Sequence, residues 1–231
     1  MYFSKTIVRA SMSQCLQFEI DPLKISGDFV GGVLVAVDIL AYSREEYPRP
    51  EAPVCLISAV HTGGLSSISR AYSKLFIAGS PTASEEKLVI RDFSAYLNMF
   101  EGGTLAAHYG ASDSADEGFD VPYLLDRAKN EHPEVYPTLL RALARFKRHD
   151  TCSYVKENMS LPSAELDYVE SYYGMARMPD AIIGEARSSM DEYWASGDPT
   201  ALKSGLANAY NCLRIAQLQI KKSICCTDIP L

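Results

Sequence analysis

The strongest candidate for chemistry in the sequence is a run of cationic residues within 138–149. If this stretch is a helix, Arg141, Arg145 and Arg148 share one side at spacings of four and three, with Lys147 beside them. Guanidinium groups spaced in this way can contact consecutive phosphates. The stretch therefore predicts a nucleic-acid or anion-binding surface. The alternative is the solvated face of an ordinary amphipathic helix.

Histidine and cysteine supply two weaker candidates. His61 precedes Gly63 and Gly64, and a glycine-rich turn before a helix can expose backbone N–H groups to an anion. Neither of the glycine motifs typical of nucleotide binding is present. Cys152 follows His149 closely, but a thiolate nucleophile needs a base within hydrogen-bonding distance, which proximity in sequence does not supply. These residues keep an enzyme with an unmarked Cys/His or anion-binding site among the alternatives.

No pattern in the sequence predicts a metal site or a cofactor. The six cysteines include no C-x-x-C pair, so a zinc site built from such pairs is not indicated. The acidic segment 111–120 aligns with the start of a calcium-binding loop, but Ala115 and Leu124 occupy two ligand positions. We therefore expect neither metal nor cofactor, and the lack of a catalytic signature favours a protein that is not an enzyme.

The clearest element in the sequence is a C-terminal helix over residues 198–223. Asp198 can cap its first turn, and Pro199 suits the first helical position. Gly205 weakens the helix by about 1 kcal/mol, so packing must compensate. Heptad-like spacing predicts a self-association seam, with a core helix of a monomer as the plain alternative. The seam would consist of Leu202, Leu206, Leu213 and Ile220.

Other helices are indicated by apolar periodicity, and strands by short alternating segments. Residues 2–9 and 14–20 predict a β hairpin or an extended arm. Residues 29–41 and 54–60 fit a helix or a strand, and length favours a helix for the first. A helix is also predicted from Leu65 to Gly79. The remaining predicted helices begin near Thr82, whose spacing to Glu85 fits a capping box, and span 123–129, 133–148, 162–173 and 180–195.

These elements predict a mainly α fold, a helical bundle-like domain of about six to eight helices with a short N-terminal β hairpin or arm. The chain of 231 residues can bury one core, and we expect a single domain over 1–231. The polar segment 111–120 is the place where it would divide into two lobes, 1–110 and 121–231.

Composition limits the function. The net charge of −7 excludes a protein whose whole surface binds nucleic acid, although it leaves room for one basic groove. We find no signal-peptide pattern and no apolar run long enough to span a membrane. The cysteine pattern favours the cytoplasm or another reducing compartment, and the chain is not expected to be secreted.

The sequence favours a non-enzymatic structural protein that assembles with itself or with a partner. Three observations lead to this hypothesis: the absence of a catalytic signature, the heptad-like last helix, and the strand-like N-terminal segment. One alternative is a nucleocapsid or coat protein that oligomerises and sheathes single-stranded RNA through the cationic helix. The other is the enzyme with an unmarked site. The expected partners are therefore further copies of the chain and single-stranded RNA.

Overall fold

The described residues form a seven-stranded mixed sheet covered by helices, so the prediction of a mainly α bundle is wrong. The computed structural model describes residues 4–8, 14–19, 32–43, 48–62, 71–111, 118–175 and 186–227. The strands are β1 (Ser4–Val8), β2 (Gln14–Glu19), β3 (Val33–Ala41), β4 (Val54–Thr62), β5 (Ala71–Ile77), β6 (Gly103–Ala107) and β7 (Phe146–Asp150). The helices are α1 (Ala83–Leu97), α2 (Asp120–Glu131), α3 (Tyr136–Leu143), α4 (Thr151–Asn158), α5 (Leu166–Tyr172), α6 (Ala186–Ser196) and α7 (Lys203–Thr227).

The order of strands in the sheet is β1-β2-β5-β4-β3-β6-β7. Neighbouring strands from β1 to β3 are antiparallel, whereas β3, β6 and β7 run parallel to one another. The carboxyl ends of these three parallel strands therefore meet at one edge of the sheet. In α/β sheets that edge is where ligands bind.

The N-terminal hairpin predicted for 2–9 and 14–20 is confirmed as a β pair, with Val8 opposite Cys15. Strand β2 also pairs with β5, so the hairpin extends the sheet instead of leaving it as an arm. On the other side, β7 pairs with β6. Strands from before and after residues 111–120 therefore belong to the same sheet.

Residues 33–41 form strand β3, although the length of the apolar run favoured a helix. Most of this strand is buried because it lies inside the sheet and helices cover both faces. A strand buried on both faces reads as a continuous apolar run, which resembles a buried helix. Residues 54–62 form strand β4, which is also almost entirely buried and therefore gives the same ambiguous apolar run. The predicted helix from Leu65 to Gly79 is wrong over 71–77, which is β5, and its residues 65–70 lie outside the described structure.

Helices α1, α2 and α3 pack together on one face of the sheet. The ring of Phe76 in β5 lies 5.7 Å from that of Phe93 and 5.4 Å from that of Tyr96, both in α1. Helix α1 confirms the helix predicted from Thr82, but not its capping box. The side chain of Thr82 makes no capping hydrogen bond, and Glu85 instead accepts one from the N–H of Gly79 at 2.9 Å.

A buried carboxylate joins these helices to the sheet. Glu86 of α1 accepts hydrogen bonds from Arg127 of α2 at 2.9 and 2.6 Å, and the N–H of Val54 in β4 donates to it at 2.8 Å. The Nε2 atom of His132 lies 2.8 Å from the same carboxylate. Burial alone would raise the pKa of Glu86, but these hydrogen bonds, led by Arg127, lower it below its usual value.

Helix α7 covers the opposite face and contacts β3, β4 and β6. The predicted cap is confirmed, since Asp198 accepts a hydrogen bond from the N–H of Thr200 at 2.9 Å at the start of a 3₁₀ turn, Pro199–Leu202. The residues of the predicted seam are buried in the chain's own core, with Ile220 packed against it: Leu202, Leu206, Leu213 and Ile220. The alternative of a core helix is therefore the one that the structure shows, and self-association stays a prediction without this seam.

No helix in the described ranges combines the length and the hydrophobicity that crossing a bilayer requires.

Candidate functional site

The cationic residues singled out in the sequence do not share one helical face. Helix α3 ends at Leu143, Arg145 follows in a turn, and Lys147 and Arg148 are neighbours in β7. Adjacent residues in a strand point to opposite faces. Three of the four cations donate to acceptors within the chain: Arg141 to Pro137 O (3.2 Å), Arg145 to Asn98 Oδ1 (3.2 Å) and Arg148 to Leu143 O (3.0 Å). The helix predicted over 138–149 is confirmed as far as Leu143 and is wrong over 146–149, so anion binding by these residues stays a prediction without its geometric basis.

Among the described residues neither His149 nor His108 is placed as a base for Cys152, whose thiol hydrogen-bonds to Lys156 instead. Burial raises the pKa of the Cys152 thiol. The Nε2 atom of His149 lies 2.8 Å from the amide oxygen of Gln219, and Nδ1 of His108 lies 2.8 Å from the hydroxyl of Thr151. Both rings are therefore engaged elsewhere, and the structure gives a thiol-based reaction no support.

His61 lies in an aromatic cluster. Its Nδ1 atom is 2.6 Å from the hydroxyl of Tyr96, and its ring packs against Tyr72 and Phe100. Burial, followed by the charge of Lys74, lowers the pKa of His61 to about 4, so the ring is neutral at pH 7. Gly63 and Gly64, the other half of that prediction, lie outside the described residues.

Two carboxylates that sequence reasoning did not flag converge where the parallel strands end. Asp38 lies in β3, and Asp120 begins α2. Strand β6 pairs with β3 no further than Ala36, which leaves the edge of β3 open beyond that residue. Asp120 occupies this opening, because its Oδ1 atom accepts the N–H of Ile39 at 3.1 Å. Asp120 thus lies against the strand that carries Asp38, and the charges of the two side chains interact.

The environment of this pair opposes full ionisation. Burial raises the pKa of Asp38 to about 7, an effect that a hydrogen bond from Asn208 partly offsets. Burial and then the charge of Asp38 raise the pKa of Asp120 well above its usual value, although the N–H of Ile39 acts in the opposite direction. Adjacent carboxylates without a cation keep a proton, because two negative charges repel each other in a poorly solvated site. A bound cation would remove that repulsion.

Helix α7 closes the site over Asp38. The Nδ2 atom of Asn208 donates to Asp38 Oδ1 at 3.3 Å. One turn earlier, a Cβ atom on Gly205 would lie 3.1 Å from Asp38 Oδ2 and 2.9 Å from the hydroxyl oxygen of Ser58. The glycine that weakens the helix in isolation therefore permits its close approach to β3 and β4. Ser58, opposite Asp38 in the strand pairing, is fully buried, and its hydroxyl has no hydrogen-bond partner among the described residues.

Two further glycines fix the position of Asp120. A Cβ atom on Gly110 would collide with the backbone nitrogen of Asp120, and one on Gly118 would lie 2.7 Å from the Cα of Gly110. The close approach allows the N–H of Phe119 to donate to Tyr109 O at 2.7 Å. The segment after β6 and the start of α2 are therefore held together by backbone contacts.

A third carboxylate at this edge, Asp150 at the end of β7, has a structural role. It accepts five backbone N–H groups, from Tyr109 (3.2 Å), Gly110 (2.6 Å), Ala111 (3.0 Å), Cys152 (2.9 Å) and Ser153 (2.9 Å). These bonds cap α4 and pin the segment that follows β6. Its oxygens are therefore engaged, and Asp38 and Asp120 are the carboxylates left for a ligand.

This arrangement suits a hard divalent cation. Mg²⁺ prefers oxygen ligands and is often held by one or two carboxylates, while water and substrate phosphates complete its coordination. Asp38 and Asp120 supply two carboxylates, and the amide of Asn208 lies against one of them. The described part of the chain holds no group of three His, Cys, Asp or Glu side chains placed for a metal. A cation bound here would therefore have Asp38 and Asp120 as its carboxylate ligands among the described residues.

No protein-family model matches the chain, and no curated protein matches it either. The case for this site therefore depends on its own geometry.

One signal in the sequence could have drawn attention to Asp38. It is a single acidic residue inside an apolar run. A charge in a buried strand costs free energy unless it is paired with another group or takes part in the protein's function. Asp120 carried no such signal, because it follows a polar, acidic segment in which one more carboxylate is unremarkable.

Proposed function

We propose that the chain binds Mg²⁺ or Mn²⁺ between Asp38 and Asp120 and uses the cation to hydrolyse phosphodiester bonds of single-stranded nucleic acid. The observation that carries this proposal is the pair of adjacent, poorly solvated carboxylates at the carboxyl ends of the parallel strands. Ser58 supports it, because a buried hydroxyl beside Asp38 lacks a protein partner within the described ranges.

The chemistry follows from the charges. A divalent cation polarises a phosphoryl oxygen and lowers the pKa of bound water, which supplies the nucleophile. Asp38 and Asp120 would hold the cation, and Asn208 would orient Asp38 without adding charge. The water oxygen bonds to phosphorus as the phosphorus–oxygen ester bond breaks. Solvent accepts the water's proton and supplies one to the departing oxygen.

Single-stranded nucleic acid remains the proposed partner, on a basis different from the cationic helix. The net charge of −7 opposes phosphate binding by the protein's overall field. A bound divalent cation reverses the local charge and can hold a phosphate between itself and the protein. Cation dependence is therefore an integral part of the proposal.

A second candidate function is cation-dependent binding of nucleic acid without cleavage. Asn208 favours it, because a neutral amide lies where a third carboxylate would have helped to hold a second cation. Many phosphodiester-cleaving sites stabilise the attacking and leaving oxygens with two metal ions. Turnover of an oligonucleotide separates the two candidates.

The first test measures thermal unfolding and oligonucleotide cleavage at pH 8, with EDTA or with Mg²⁺ or Mn²⁺. At a cation concentration about 100 times Kd, the wild-type melting temperature should rise by roughly 5 to 10 °C. Asp38→Asn and Asp120→Asn should remove both the rise and the cleavage. Asp126→Asn, on an exposed position of α2, is the matched control and should behave like the wild type.

A wild-type melting temperature that does not respond to either cation would overturn the proposal. So would an Asp38→Asn/Asp120→Asn double variant that keeps the full response. A cation response and oligonucleotide binding without cleavage would select the second candidate.

We also propose that the protein works in a reducing compartment, which the buried free thiols of Cys55, Cys152 and Cys212 support. Assembly into a homo-oligomer stays a prediction, which light scattering after size exclusion would test.

A further inference from the structure

Tyr109 has a backbone conformation that its side chain disfavours. Its φ angle is +64°, and among the described residues it is alone in having a positive φ without being a glycine. The left-handed region costs free energy for residues with a Cβ, and such residues persist where their surroundings force the conformation. Backbone geometry alone would favour glycine at this position.

The contacts of Tyr109 hold it beside the acid pair. Its N–H donates to Asp150 at 3.2 Å, and its carbonyl accepts the N–H of Phe119 at 2.7 Å. The next residue, Gly110, packs against the backbone of Asp120. The backbone of Tyr109 is therefore held in place one residue before the contact between Gly110 and Asp120.

The ring itself is not used for the core. The residue is 38% exposed, and the ammonium nitrogen of Lys156 in α4 lies 4.9 Å from the centroid of the ring. A ring retained for packing would be buried, whereas a residue retained for its backbone would be glycine or asparagine. An exposed aromatic ring at a strained position needs a further explanation, and binding of a ligand supplies one.

We propose that Tyr109 and Lys156 form a subsite that holds a nucleotide next to the cation. The ring of Tyr109 stacks on the base, and Lys156 contacts a neighbouring phosphate. Proteins that bind single strands without sequence preference combine aromatic rings with positive charge in this way. The inference rests on the proposed function, because it assigns the base-contacting part of the same site.

The test compares two fluorescein-labelled strands of about ten nucleotides, an oligothymidylate and an abasic strand of equal length. Fluorescence anisotropy with Ca²⁺ measures binding. Tyr109→Gly should weaken oligothymidylate binding about tenfold, as expected for loss of one base stack, and leave the abasic strand unaffected. Tyr109→Phe keeps the ring and should bind oligothymidylate like the wild type. Because glycine adopts a φ of +64° without strain, Tyr109→Gly should keep the wild-type melting temperature or exceed it.

Lys156→Met should weaken both strands to a similar extent, because the lysine is assigned to phosphate. Suppose that the wild type binds both strands in a cation-dependent way. The subsite is then overturned if Tyr109→Gly weakens binding of the two strands equally, or weakens binding of neither. If the wild type binds neither strand with Ca²⁺ or Mg²⁺, the proposed function fails and the subsite with it.

Discussion

Asp38 and Asp120 destabilise the fold in the absence of a ligand, because ionised carboxylates are poorly solvated and repel each other where they lie. Protonation relieves part of this cost, and a bound cation would relieve more. The same pair therefore couples folding to pH and to divalent cations. The pKa of Glu86 is lowered in the folded state, so Glu86 contributes stability that is lost as the pH falls through that lowered value.

At the scale of residues we predict a pH dependence of stability. Asp38 titrates near 3.8 when unfolded and near 7 when folded, so between these values the folded state binds more protons. The contribution of Asp38 to the free energy of unfolding should therefore fall as the pH rises from about 4 to about 7. Asp38→Asn should remove this fall and be more stable than the wild type at pH 8 in EDTA. Urea denaturation at pH 5 and pH 8 measures both.

The difference between wild type and Asp38→Asn removes the contribution of Glu86, which is common to both proteins, and reports Asp38 together with its effect on Asp120. If the two proteins keep a constant difference in unfolding free energy from pH 5 to pH 8, the raised pKa of Asp38 is wrong. Mg²⁺ should stabilise the wild type more at pH 8 than at pH 5, since cation and proton compete for the same oxygens.

At the scale of elements, α7 shows how one apolar pattern fits two roles. Leucines and alanines at alternating spacings of four and three are expected both of an oligomer seam and of a helix packed on a sheet. The structure places Leu206 and Leu213 against the chain's own strands, with Gly205 setting the distance. Two apolar residues on other sides of this helix, Tyr210 and Ile215, are buried as well.

Replacing Leu213 by alanine should therefore lower the free energy of unfolding by about 2–5 kcal/mol, as expected for truncation of a buried leucine. The oligomeric state in dilute native buffer should not change. Leu218→Ala, on the same helix but with 42% of the residue exposed, is the control and should cost far less. If the wild type forms an oligomer, and Leu213→Ala is equally stable but no longer forms it, Leu213 belongs to a self-association seam after all.

The helices were more accessible to sequence reasoning than the strands. Period and end signals located α1, α2 and α7. Although α7 is buried on most of its circumference, α1 and α2 each have an apolar face toward the sheet and a polar face toward solvent. Strand β3 has no such asymmetry, since both of its faces are covered. Strand β7 shows the opposite difficulty, because Phe146 is followed by four ionisable or polar side chains that extend an apparently helical charge pattern.

At the scale of the whole molecule, one sheet joins the segments on either side of residues 111–120. Strands β6 and β7 are direct neighbours, with Ala107 opposite Asp150. One hydrophobic cluster includes residues from α1 before this segment and from α2, α3 and α7 after it. The lobes 1–110 and 121–231 therefore share their sheet and much of their core.

We predict that the chain unfolds in a single cooperative step. The one tryptophan, Trp194, lies in α6 and donates its indole N–H to Ala78 O at 2.8 Å, which joins distant parts of the sequence. Its fluorescence and the far-ultraviolet circular dichroism should give the same midpoint and slope in urea. Two separated transitions would instead indicate lobes that unfold independently.

The candidate site could not be read from the sequence because topology creates it. Asp38 and Asp120 come together through the end of the β3–β6 pairing, which one sequence does not reveal. Their neighbours Gly110 and Asn208 belong to ordinary-looking segments. The cationic residues had the more visible pattern, but that pattern depended on a helix continuing from 138 to 149, whereas the helix ends at Leu143.

Strand β7 is the last strand on its side of the sheet, and a terminal strand can recruit the edge of another molecule. Lys147, Arg148, His149 and Asp150 follow one another along it. Charged side chains on a terminal strand oppose such pairing, since joining two copies would bring like charges together and strip them of water. Lys147 and Arg148, which suggested RNA binding, therefore also oppose strand pairing at this end of the described sheet.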